Sequence, residues 1–166
     1  SMAQLYWNTN GTGAAINAAN WASTSAGPFT SAWVDGSDMN FTANSAITYV
    51  TGIPIGNINI SDGITVTLTA AGTLSTGGTV KTVTIGTGST LTWNGQSVST
   101  TAGTGFIKSG NGTWNIGAQG NAYPGGFTLN AGMVVLGGVN ALGSGGTLTI
   151  NGGTIGANAA RDLSGK

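Results

Sequence analysis

Gly103 to Ile155 reads GTGFIKSGNGTWNIGAQGNAYPGGFTLNAGMVVLGGVNALGSGGTLTINGGTI. Short runs in which apolar and small polar residues alternate are each closed by a glycine pair or an Asn-Gly, and the pattern then begins again. Shifted against itself by 21 residues, the stretch lays Phe106 over Phe127 and Leu148, Trp114 over Val135, and Gly105 over Gly126. Upstream, Ile64 and Ile85 extend the first series and Trp93 the second. A fixed period of this size marks a solenoid, in which each repeat buries its apolar side only by stacking on its neighbours. The spacing predicts an all-β parallel β-helix (β-solenoid) of about 21 residues per coil, right-handed by the crossover preference of parallel strands. Its repeat core is expected to consist of Ile64, Ile85, Trp93, Phe106, Trp114, Phe127, Val135, Leu148 and Ile155.

Composition supports strands and excludes several functions. Of 166 residues, 31 are glycine, and the good surface helix formers are scarce. Charged residues are 5% of the chain, with net charge zero, so no cluster of Lys and Arg is available for nucleic acid or an anionic membrane. Hydrophobic residues make up 39%, enough to fold a chain that carries no net charge. There is no cysteine, which removes disulfides, zinc fingers and thiol chemistry. No apolar run approaches the roughly 18 residues of a membrane-spanning helix, so no membrane insertion by this segment is expected.

The first quarter differs from the rest. Trp7, Trp21, Trp33 and Phe41 lie there between Gly, Asn and Ser turns, and three of the chain's five tryptophans are among them. A solenoid must close its first coil against water, and large aromatics do so cheaply. Residues 1–45 are therefore read as an N-terminal cap and 46–166 as β-helix coils of one continuous domain. The same aromatics also suit an exposed platform that stacks on sugars. From Ala46 the strands are regular: in Ile64 to Thr69, Ile64, Val66 and Leu68 alternate with Thr65, Thr67 and Thr69, the period-two pattern of a half-buried strand with a threonine outer face. Asn-Gly between such runs is also a hairpin pattern. Hairpins, however, have no reason to keep inward residues one period apart.

Three blocks carry a family resemblance: GTG-x-x-K-x-GNGTW-x-I from Gly103, Y-P-GG-x-T-x-N-AG-x-VVLG from Tyr123, and ALGSGGTLTINGGTI from Ala141. Together they resemble the autotransporter-associated β-strand repeat, also called the passenger-associated transport repeat, of bacterial autotransporter-like surface proteins. The resemblance implies a secreted or surface-displayed passenger whose repeat assists export through the outer membrane and stepwise folding. It implies a non-enzymatic segment whose partners are further coils of its own full-length chain. The chain holds no translocator barrel pattern, and it stops where another strand is due, so we expect a segment truncated at its C-terminus. The second functional reading is a glycan-binding adhesin that uses the cap aromatics or Tyr123 on host or environmental glycans.

Catalysis finds little to work with. Histidine is absent, and the only close acid pair, Asp35 and Asp38, sits in a Gly-containing turn where Asp ordinarily accepts local backbone N–H bonds. No metal site and no cofactor site are expected, because calcium prefers several carboxylates and the aspartate of the nonapeptide calcium repeat is missing after each Gly-Gly. Gly103 to Ser109 lacks the glycine before lysine and the helix that a phosphate loop needs. Lys81 and Lys108 are assigned to outward strand positions. An ice-binding face would need Thr above Thr at the repeat period. At a uniform shift of 21, Thr128 meets Thr149, but Thr65 falls on Gly86 and Thr84 on Gly105.

Overall fold

The computed structural model describes residues 3–10, 13–70, 72–94, 97–98, 101–117, 122–164 and 166. Among these residues there are strands and turns and no helix. The chain opens with β1 (Gln4–Trp7) and the short β2 (Trp21–Ala22), then lays down a pair of strands per coil: β3 (Asp38–Phe41) and β4 (Ser45–Tyr49), then β5 (Ile58–Ile60) and β6 (Thr65–Ala70) with β7 (Thr73–Leu74) after them. Next come β8 (Val80–Ile85), β9 (Thr90–Asn94) and β10 (Ser97–Val98). β11 (Gly105–Ser109) with β12 (Thr113–Ile116), β13 (Gly126–Leu129) with β14 (Met133–Leu136), and β15 (Leu148–Ile150) with β16 (Thr154–Ala157) complete the stack.

Alternate strands go to alternate faces. The first sheet runs β15-β13-β11-β8-β5-β3-β1-β2 and the second β16-β14-β12-β9-β6-β4, while β7 and β10 pair on a narrow third side. Every pair is parallel except β1 with β2. Six strands in the second sheet are five steps, so the molecule is a parallel β-solenoid of about five turns, each coil rising about 4.8 Å.

The core is the space between the sheets. Leu91 and Trp93 point into it from β9, Trp114 and Ile116 from β12, Phe106 from β11, and Phe127 and Leu129 from β13, all buried. The indoles of Trp93 and Trp114 are stacked at 5.5 Å with 7° between their planes, and Phe106 meets both edge-on. Aromatic contacts of this kind add about 0.5–1.5 kcal/mol each beyond the area they bury.

The period is not fixed. Phe106 pairs with Phe127 and Phe127 with Leu148, 21 residues apart as the repeat predicts. Earlier the step is 19 from Met39 to Ile58 and 25 from both Ile58 to Val83 and Val80 to Gly105. Ile85 therefore lies over Ile60 in the first sheet, whereas Ile64 leads into β6 of the second, so these two isoleucines do not share a column. Trp93 aligns with Ile116, and Trp114 with Leu91 and Val134. The inward assignment of Val135 is thus corrected by one residue: Val134 is buried and Val135 pairs with the outward Asn115. The cause is a shorter corner. Gly110–Gly112 separates β11 from the start of β12 at Thr113, whereas from Asn130, opposite Ser109, only Ala131 and Gly132 precede Met133.

The stack also begins earlier than Ala46. β1 pairs in parallel with β3, and the Ile16 N–H donates to the Thr48 carbonyl while the Thr48 N–H donates to the Ala14 carbonyl, which adds residues 14–16 to the edge of the second sheet. Closure at that end comes from β2, antiparallel to β1, with the Trp21 ring against Trp7 at 4.9 Å and its Nε1–H donating to the Ile16 carbonyl at 2.7 Å. At the other end β15 and β16 are edge strands, and Ile150 is 56% exposed.

Candidate functional surfaces

Of the residues assigned to the core, Ile85, Trp93, Phe106, Trp114 and Phe127 are buried, and Ile64, Leu148 and Ile155 pack half-buried against them. Leu148 and Ile155 owe their exposure to lying in the last coil. Of the aromatics near the N-terminus, Trp7, Trp21 and Phe41 are buried and Trp33 is half-buried, donating to the Pro54 carbonyl at 3.3 Å. A sugar platform needs two coplanar rings on one surface. The Trp7–Trp21 and Trp21–Trp33 planes meet at 68° and 50°, and Tyr123 is fully buried, so these residues offer no platform.

The corners carry polar clips from one coil to the next. The Asp38 carboxylate accepts the Asn57 N–H at 2.8 Å, Asn44 accepts Thr65 N–H at 2.9 Å, Asn57 accepts Thr82 N–H at 2.9 Å, and Asp62 accepts Thr87 N–H at 2.8 Å. On the outer face of the first sheet an amide row adds to them: Asn59 donates to Asn40, Asn130 to Ser109, and Asn151 to Asn130. In these seven bonds the donor belongs to the later coil and the acceptor to the earlier one, while the Ile64 N–H donates the other way, to Ser89 Oγ at 2.9 Å. Asp38 also accepts from the Gln4 amide at 2.7 Å, so this acid is a structural clip, and no group of three metal-ligating side chains exists among the described residues.

Lys108 corrects another expectation. It is fully buried, because alternation from Phe106 turns it inward over Val83. Its ammonium sits in the corner between the sheets and donates to the carbonyls of Ser109, Gly110 and Ala131 at 3.1, 2.7 and 2.9 Å. All three ammonium donors are thereby used. Gly132 makes the room: its φ is 70°, and a Cβ there would come within 2.8 Å of Lys108 Nζ. Burial pulls the amine down to about 8. Lys81, one coil earlier, is half-buried.

The outer face of the second sheet is a lattice of small uncharged groups. Thr65, Thr90 and Thr113 form one row across β6, β9 and β12, and Thr67, Thr92 and Asn115 form the next. Thr65 thus meets Thr90 and not Gly86, and Thr84 in the first sheet meets Ser109 and not Gly105. The threonine columns that a uniform shift breaks are restored by the longer steps. Beyond β12 the rows change to Met133 and Val135, and the face sinks into a shallow dish of about 360 Å³ lined by Thr92, Asn94, Asn115, Val135 and Asn158. Set against known proteins, the chain matches no family model, no curated protein and no solved structure.

Proposed function

We propose that this chain is a non-enzymatic structural segment of an exported bacterial surface protein of the autotransporter-like kind, in which each coil is the template for the next. The observation that carries the reading is the set of side-chain clips from coil to coil, seven of which run from a donor in the later coil to an acceptor in the earlier one. In those seven a folded coil presents carboxylate, amide or hydroxyl oxygens at its leading edge, and the arriving coil supplies the N–H groups. Together with the bare backbone edge of the last strand, that arrangement favours growth of the stack from the closed end toward the open one. A chain leaving a secretion pore and folding in this order is held from sliding back by each coil it completes.

Surface display tests the reading. With the chain fused ahead of an outer-membrane translocator barrel, the amount reaching the cell surface should fall in Trp114→Ala, which opens the core, and stay unchanged in Val135→Ala, which does not. Equal display of both proteins would overturn it.

A further inference from the structure

The dish on the second sheet has the makings of a binding site, and its lining differs from the aromatics first considered for that role. Asn94, Gly117, Gly137 and Asn158 occupy one register row across β9, β12, β14 and β16, as the backbone bonds Gly117 N–H to Trp93 carbonyl, Gly137 N–H to Ile116 carbonyl and Asn158 N–H to Leu136 carbonyl require. Two glycines between two asparagines leave a depression about 14 Å long, three coil steps, with an amide at either end. Thr92, Asn115 and Val135 form the row along one side. Amides and hydroxyls both donate and accept, which suits a ligand whose own groups are hydroxyls, and Val135 offers an apolar surface for a C–H face.

Charge narrows the class. The strands of the second sheet, β4, β6, β9, β12, β14 and β16, contain no Asp, Glu, Lys or Arg. No charged residue lines the dish among the described residues, and Arg161, which reaches its Asn158, is engaged with Asn158 Oδ1 at 2.7 Å and the Leu136 carbonyl at 3.3 Å. Nothing there would reward a phosphate, sulfate or carboxylate ligand. Shape narrows it again: a sunken floor interrupts the threonine rows, so the face cannot meet a flat crystal plane over its whole length.

We propose that this dish binds an uncharged glycan lying along the stack axis. The inference does not depend on the export reading. It is tested on the intact chain by NMR titration with cellohexaose and laminarihexaose, with hexagalacturonate as the charged comparison. Shifts should cluster at Thr92, Asn94, Asn115, Val135 and Asn158 for a neutral hexasaccharide and be absent for the charged one. Asn115→Ala should weaken that binding about three- to tenfold, the worth of one hydrogen bond. Val135→Lys, a change at an outward position that fills the dish without touching the core, should abolish it, whereas Thr128→Ala on the other sheet should leave it intact. No response to either neutral sugar at millimolar concentration, a response mapping elsewhere, or an affinity indifferent to Val135→Lys would each overturn the proposal. So would ice-crystal shaping by a chain that ignores both sugars, which would give the face to ice.

Discussion

The C-terminal coils and the middle coils solve the same packing problem with different chain lengths. In the first sheet, β11, β13 and β15 follow one another at 21 residues, while β5, β8 and β11 follow at 25. Yet Val83, Ile85, Phe106 and Phe127 are equally buried. What a solenoid conserves is therefore the inward column, and the corners absorb the difference. Extra residues go to the third side and the turns, as where β7 and Thr76–Thr79 intervene before β8. A loop lengthened by a few residues costs only a fraction of a kcal/mol in closure entropy, whereas a slip of one residue in a strand turns every side chain to the wrong face.

The sharpest test of that contrast is a pair of substitutions at neighbouring columns. Trp114→Ala should cost about 3–5 kcal/mol in denaturant unfolding, because it empties a site shared with Trp93, Phe106 and Phe127. Val135→Ala should cost less than about 0.5 kcal/mol, since its side chain faces outward. Equal losses at the two would restore a uniform step of 21 and break the register described above. Lys108→Met comes next, at about 1–3 kcal/mol, as three corner carbonyls lose their donor.

That same lysine makes a prediction in pH. Its amine is lowered to about 8 in the fold, against about 10.4 in the unfolded chain. Between those values the unfolded state holds a proton the folded state has given up, so stability should rise as pH climbs from 8 toward 10, and Lys108→Met should flatten the rise. Tyr49, raised above its ordinary value by burial, works in the opposite sense above pH 10 and closes the window. Tyr49→Phe itself should cost about 1–2 kcal/mol at neutral pH, because the phenol donates to the Ile53 carbonyl and accepts the Ser75 N–H. Smallest is Asn130→Ala, a few tenths to about 1 kcal/mol, which removes two rungs of an exposed amide row in the regular half. A loss there as large as that at Lys108 would show that the regular coils lean on their surface more than on their corners.

These contrasts also mark what could be read from the residues alone. Phe106, Phe127 and Leu148 were legible because β11, β13 and β15 follow at equal steps. Val134 was not, because Met133-Val134-Val135 is three apolar residues in a row and alternation has nothing to choose between. Lys108 was misread for the opposite reason. Its charge suggested an outward position, although alternation from Phe106 points it inward; a corner of carbonyls, invisible in sequence, accepts the ammonium there. The threonine columns stayed hidden because the 25-residue step from Thr65 to Thr90 runs through Gly-, Ser- and Thr-rich turns that carry no periodic pattern. The dish depends on which glycines fall side by side, which is a matter of register and not of composition.

The clips reach one coil and no farther: Asn44 touches the chain 21 residues on, Asn57 and Asp62 25 on, and none spans two turns. A clip therefore fastens a coil to its immediate neighbour alone, and a genetic duplication or loss of one whole turn would disturb only the bonds at the joint. Length in such a molecule can drift over generations by whole turns, while a change of three or four residues within a strand would scramble it.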